Sequence, residues 1–123
     1  MSKLKILLAE DDIHNQHIIK TVTCDYDFTL DIAENGQVAI SKLNDNEYDL
    51  VMLNLEMPVM DGFETTTYIR KRMGAKSNIP IIVVTSNSGV AEATKCLLLG
   101  ANSYLTKPFN SRDLLSEINT LFI

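Results

Sequence analysis

The chain has 123 residues, of which 46% are hydrophobic and 22% charged. That is one domain's length with ample apolar side chain for a core, and the balance excludes a disordered chain. A net charge of −5 argues against direct nucleic-acid binding, and no apolar run is long enough to insert in a membrane.

The opening residues Met1 to Lys5 carry no secretion signal and pass into a first strand, Leu4-Lys5-Ile6-Leu7-Leu8-Ala9. A cytoplasmic location is expected, with Cys24 and Cys96 as two free thiols in a reducing compartment. Asp12 heads a first helix that is expected to turn Ile18, Ile19 and Val22 inward. His14 and His17 share a face of that helix and read as exposed histidines rather than a metal pair. Phe28-Thr29-Leu30-Asp31-Ile32-Ala33 alternates as a half-covered strand does. Asn35-Gly36 opens a second helix through Leu43.

Leu50-Val51-Met52-Leu53 is apolar without alternation, which suits a central strand covered on both faces. Asp61, with Glu64 three residues on, predicts a capped third helix with Phe63, Ile69 and Met73 inward. The β-branched run Ile79–Thr85 predicts a fourth strand. A helix from Val90 to Leu99 stops at Gly100, and Ser103-Tyr104-Leu105-Thr106 forms a short fifth strand. Asn110 caps a last helix with Leu114, Leu115, Ile118, Leu121 and Phe122 along one stripe. Met52, Met57, Met60 and Met73 read as packing.

Five strand–helix repeats favour a parallel sheet wound on both faces, one domain over 1–123. Ligands then bind at the carboxyl ends of the strands. Glu10-Asp11-Asp12 ends the first strand, and Asn54-Leu55-Glu56-Met57-Pro58 ends the third. Thr85-Ser86 ends the fourth, and Thr106-Lys107-Pro108 the fifth. Adjacent carboxylates repel, and one of them suffices for a cap. A hard cation is a physical reason to keep the others, the plain alternative being that Asp12 caps the helix while Glu10 and Asp11 are solvated. Each signal alone has a plain alternative, since a lone lysine is usually solvated and Thr85 could be an ordinary strand threonine.

Together they resemble a response-regulator receiver domain of two-component signalling. The likeness is carried by Ile6–Asp12, Tyr48–Leu53, Met57-Pro58-Val59-Met60-Asp61-Gly62, Ile81–Thr85, Gly100-Ala101 and Tyr104–Phe109. His14-Asn15-Gln16 is similar to receivers attached to hybrid sensor kinases. The resemblance implies a flavodoxin-like, three-layer α/β/α fold with five helices and strand order 2-1-3-4-5. It implies an Mg²⁺ site at Glu10, Asp11, position 54 and the Glu56 carbonyl. Thr85 would be the switch hydroxyl, Lys107 the cation on the phosphoryl oxygen, and Tyr104 the aromatic that follows Thr85. The Lys107–Pro108 bond is often cis in such domains. Partners would be a sensor histidine kinase or a histidine phosphotransfer protein. The protein would be a monomer or a weak dimer through helix four, strand five and helix five, with Lys95 and Tyr104 among the surface candidates.

One position departs from the pattern. The family's acceptor aspartate is here Asn54. A carboxamide carries no charge and is a poor nucleophile for phosphorus, so phosphorylation there, and the family's self-catalysed reaction, are expected to be lost. With one carboxylate fewer, Mg²⁺ should bind more weakly. Asn54 fits either a substitution that locks the unphosphorylated state or a native module that works by partner binding alone. A flavin carrier on the same fold is disfavoured, because acids replace the phosphate-cradling loop, and no Gly-x-Ser-x-Gly elbow supports a hydrolase.

Overall fold

The computed structural model describes residues 4–24, 26–86 and 89–122. Strands β1 (Leu4–Ala9), β2 (Phe28–Ala33), β3 (Leu50–Asn54), β4 (Ile81–Thr85) and β5 (Ser103–Thr106) alternate with five helices. These are α1 (Ile13–Thr23), α2 (Gly36–Asp45), α3 (Gly62–Arg72), α4 (Val90–Leu98) and α5 (Ser111–Phe122). The strands form one parallel sheet in the order β2-β1-β3-β4-β5. This is the expected doubly wound fold.

The period of two along each strand sorts the core into two layers. Leu7, Val51, Leu53, Ile81 and Val83 face Leu43, Ile69 and Cys96 from α2, α3 and α4. Ile6, Leu8, Met52, Ile82 and Val84 face Ile19, Leu114 and Ile118 from α1 and α5. Every residue of β3 and β4 is buried, which is why neither alternates in sequence. Ile79 and Pro80 lie before β4 rather than in it; Pro80 has no N–H for the ladder, and only its carbonyl joins, accepting from Val51.

Caps lie where the sequence puts them. Asp12 accepts from the His14 N–H, Asn35 from Val38, Asp61 from Glu64 and Asn110 from Asp113. Asp61 and Glu64 complete a reciprocal capping box. Gly100 takes φ +115 after α4, the left-handed stop expected of it.

Two inward assignments need correction. Ile18 is 45% exposed, because Ile19, about 100° round the helix, already fills the inward position. Phe122 is 44% exposed at the end of α5, where no strand remains to cover it. Met73 falls just past α3 as its C-cap residue, yet packs against the core as expected. Among the described residues no helix is long and apolar enough to cross a membrane, and Cys24 and Cys96 are both free.

Candidate functional site

The parallel topology delivers four chain segments to one edge of the sheet. Glu10 directly follows β1, and its N–H extends the ladder to the Ala33 carbonyl at 2.9 Å. Gln16 on α1 reaches back and donates to the Glu10 carbonyl at 2.7 Å. Asn54 is the last residue of β3 and is 9% exposed. Lys107 follows β5, and its N–H donates to the Thr85 carbonyl at 2.7 Å. The Lys107–Pro108 bond is cis, as the resemblance implies.

The loop after Asn54 doubles back tightly. Gly62 donates its N–H to the Leu55 carbonyl at 2.8 Å. A Cβ on Gly62 would lie 2.8 Å from Leu55 Cα and 2.9 Å from the Asn54 carbonyl oxygen. Both neighbours are backbone and cannot yield, so only glycine lets α3 start this close to the end of β3. In the same loop Val59 sits at φ 72, a conformation β-branched residues rarely adopt.

Hydrogen bonds join the side chains into one network. Lys107 Nζ lies 2.8 Å from Glu10 Oε1 and 3.3 Å from Asn54 Oδ1. Asn54 Nδ2 donates to Glu10 Oε2 at 3.1 Å, to Asp11 Oδ1 at 3.2 Å and to the Glu56 carbonyl at 2.8 Å. The Asp12 N–H adds a contact to Glu10 Oε2 at 3.2 Å. The Glu10 side chain is wholly buried. Burial pushes its pKa above the ordinary carboxyl value, and the bond to Lys107 opposes that rise.

Glu10, Asp11, the Glu56 carbonyl and Lys107 are therefore joined through Asn54. Thr85 is buried beside them at the end of β4, linked through its carbonyl. Tyr104 is half-buried, paired with Val83 in the sheet and packed on the α2–α4 side of the core. Lys95 is exposed, with its ammonium 4.2 Å from the centre of the Phe63 ring.

The resemblance implies that Asn54 offers a cation its side-chain oxygen, and in this arrangement the amide is turned the other way. Its amide nitrogen, not its oxygen, faces Glu10, Asp11 and Glu56. The reason is charge: the acids draw the NH₂ group, and the Lys107 ammonium draws the oxygen. All three oxygens that a divalent ion would need are already hydrogen-bonded to Nδ2. Among the described residues there is no cluster of three or more His, Cys, Asp or Glu side chains able to hold a metal. As arranged, those oxygens are taken up by the amide, and an ion binding there would have to displace it. Gln16 fixes Glu10 in a way the sequence reading missed; its place one turn into the helix after the acids was the available signal.

A sequence profile of the response regulator receiver domain matches residues 6–119. Hybrid signal transduction histidine kinase B of Dictyostelium discoideum is 36% identical over 93% of this chain. This chain spans only 6% of that kinase's length. A CpxR-homologous transcriptional regulatory protein of Haemophilus influenzae is 37% identical over 95% of this chain, which spans 49% of that protein. The receiver domain of sensor histidine kinase PA1611 from Pseudomonas aeruginosa superposes with a TM-score of 0.86 at 28% identity, covering 97% of each chain. That neighbour was solved with a magnesium ion coordinated in its active-site cleft.

Proposed function

The chain belongs to the response regulator receiver family, and on that premise we propose that it docks on a sensor histidine kinase or histidine phosphotransfer protein without being phosphorylated at position 54. The observation that carries this reading is Asn54 itself. It lies at the end of β3 between the acids and Lys107, the position that the resemblance assigns to the family's nucleophile. Phosphoryl transfer draws on positioning and charge stabilisation around a competent oxygen. Here the Asn54 oxygen is uncharged and is held by Lys107, so the pocket keeps the family's surroundings and lacks its reactant.

In this reading Glu10, Asp11 and the Glu56 carbonyl would hold Mg²⁺, more weakly than in a receiver with the aspartate. The ion's contribution would be to neutralise charge on a phosphoryl group. Thr85 and Tyr104 would retain their places as switch residues with no covalent signal to report. Signalling would then rest on binding alone, in the cytoplasm. Exposed apolar residues on α4 support a protein-facing surface there, with Val90 80% and Leu98 82% exposed. The same face would carry any weak dimer.

The test compares this chain with Asn54→Asp. Each is incubated with a small-molecule phosphodonor and Mg²⁺, and its intact mass is measured. The variant should gain one phosphoryl group and the parent none. A mass gain on the parent that maps to position 54 sinks the reading.

A further inference from the structure

The Asn54 carboxamide has one acceptor atom and one donor group, and they face opposite neighbours. Oδ1 accepts from Lys107 at 3.3 Å. The two Nδ2 hydrogens are shared among Glu10, Asp11 and the Glu56 carbonyl. From this geometry we infer that the Asn54 amide group stands in the place of a divalent cation, and that Lys107 and the cation compete for the single acceptor oxygen of Asn54. The inference rests on the reading of Glu10, Asp11 and Glu56 as cation-binding groups.

A carboxylate at this position has two oxygens and can serve a lysine with one and an ion with the other. A carboxamide cannot do both. To give its oxygen to an ion it must turn over, which aims the NH₂ group at the Lys107 ammonium, donor against donor. Lys107 would lose one of its two acceptors, and all three Nδ2 hydrogen bonds would break together. Glu10 adds to the barrier. Its Oε1 is committed to Lys107 and its Oε2 to Asn54 and the Asp12 N–H, so neither oxygen turns to an ion without loss. Lys107 is thus the positioning residue that keeps the amide pointed at the acids.

Removing a positive charge near any cation site tightens binding by simple Coulomb attraction, so Lys107→Met alone decides nothing. The test is a double-mutant cycle. Mn²⁺ and Mg²⁺ are titrated calorimetrically into the parent, Lys107→Met, Asn54→Asp and the double variant at one ionic strength. Competition for one oxygen predicts that Lys107→Met tightens Mn²⁺ binding by a factor about tenfold larger in the parent than in the Asn54→Asp background. Equal factors in the two backgrounds overturn the inference and leave the cation-site reading standing. No Mn²⁺ binding by Asn54→Asp overturns that reading, and the inference with it. The Asn54 side-chain amide signals, identified by their loss in Asn54→Asp, provide a second readout. Saturating Mg²⁺ should shift them in Lys107→Met, while the same concentration leaves them in place in the parent.

Discussion

Glu10 and Lys107 are 97 residues apart in the chain and form an ion pair at 2.8 Å, with the carboxylate wholly buried. Removing one partner of such a pair leaves an uncompensated charge. Lys107→Met should lower stability near neutral pH by about 3 kcal/mol. The loss should depend on pH. Burial already raises the Glu10 pKa and Lys107 restrains it, so without Lys107 it rises further. A carboxyl with a raised folded-state pKa binds more protons folded than unfolded, so its stability contribution falls as pH rises through that window. The deficit of Lys107→Met should therefore shrink on going from neutral pH towards pH 4.5, the ordinary carboxyl value. Urea unfolding at both ends of this range checks it; an unchanged deficit contradicts it.

Asn54→Asp exchanges a donor for an anion beside two acids. Two unit charges about 5 Å apart repel by roughly 3 kcal/mol at an effective dielectric near 20. Three hydrogen bonds from Nδ2 are lost as well. Lys107 gains a charged partner but already has Glu10. The variant should melt below the parent in metal-free buffer, by about 1–3 kcal/mol of stability. Mg²⁺ should then raise its melting temperature more than the parent's. A higher melting temperature for Asn54→Asp without metal counts against the balance of charges described.

Val59 combines φ 72 with 72% exposure, and around it the Met60 N–H donates to the Pro58 carbonyl at 2.8 Å, the closure of a strained γ-turn. Glycine adopts positive φ with no Cβ penalty. Val59→Gly should stabilise the protein by about 0.5–1 kcal/mol, the strain relieved less the backbone freedom that glycine adds. Thermal unfolding would expose the error if the variant melts at or below the parent.

Arg70 ties α3 to two loops at once. Its guanidinium donates to the carbonyls of Gly100, Ser77 and Ile79 and to Asn102 Oδ1, with no carboxylate among them. Arg70→Met keeps the stem and strands these acceptors. A loss of about 2–4 kcal/mol is expected, several part-buried groups each losing a charged donor. A loss under about 0.5 kcal/mol, typical of surface sites, refutes this anchoring role.

The Tyr48 phenol donates to Asp31 Oδ2 at 2.7 Å. Burial first, and then this carboxylate, push its pKa up to about 12. The folded state holds the phenolic proton where the unfolded chain has released it, so stability drops between pH 10 and about 12. Tyr48→Phe should flatten the stability profile across that interval. Identical alkaline slopes for the two proteins would remove Tyr48 as the cause.

What can be read in the sequence follows from local rules. β3 and β4 are legible because strands buried on both faces have no polar side to show. Asp12, Asn35, Asp61 and Asn110 are legible because caps act within a few residues. Glu10, Asp11, Asn54, Thr85 and Lys107 can be placed at one edge because a parallel sheet sends all strand ends the same way. Ile18 misleads because neighbouring apolar residues on a helix leave open which of them points inward. Arg70 is invisible as an anchor, since its acceptors lie 7 to 32 residues away and are mostly main-chain carbonyls. The orientation of the Asn54 amide needs the pocket's charges in space, with acids on one side and an ammonium on the other.

The span of the Glu10–Lys107 pair also orders the birth of the pocket. A ribosome releases Lys107 97 residues after Glu10. Through that interval the carboxylate has no counter-ion, and hydration is its most favourable state. The first four strands can associate while the nascent chain grows, but the acidic end of β1 has reason to stay open to water until β5 arrives.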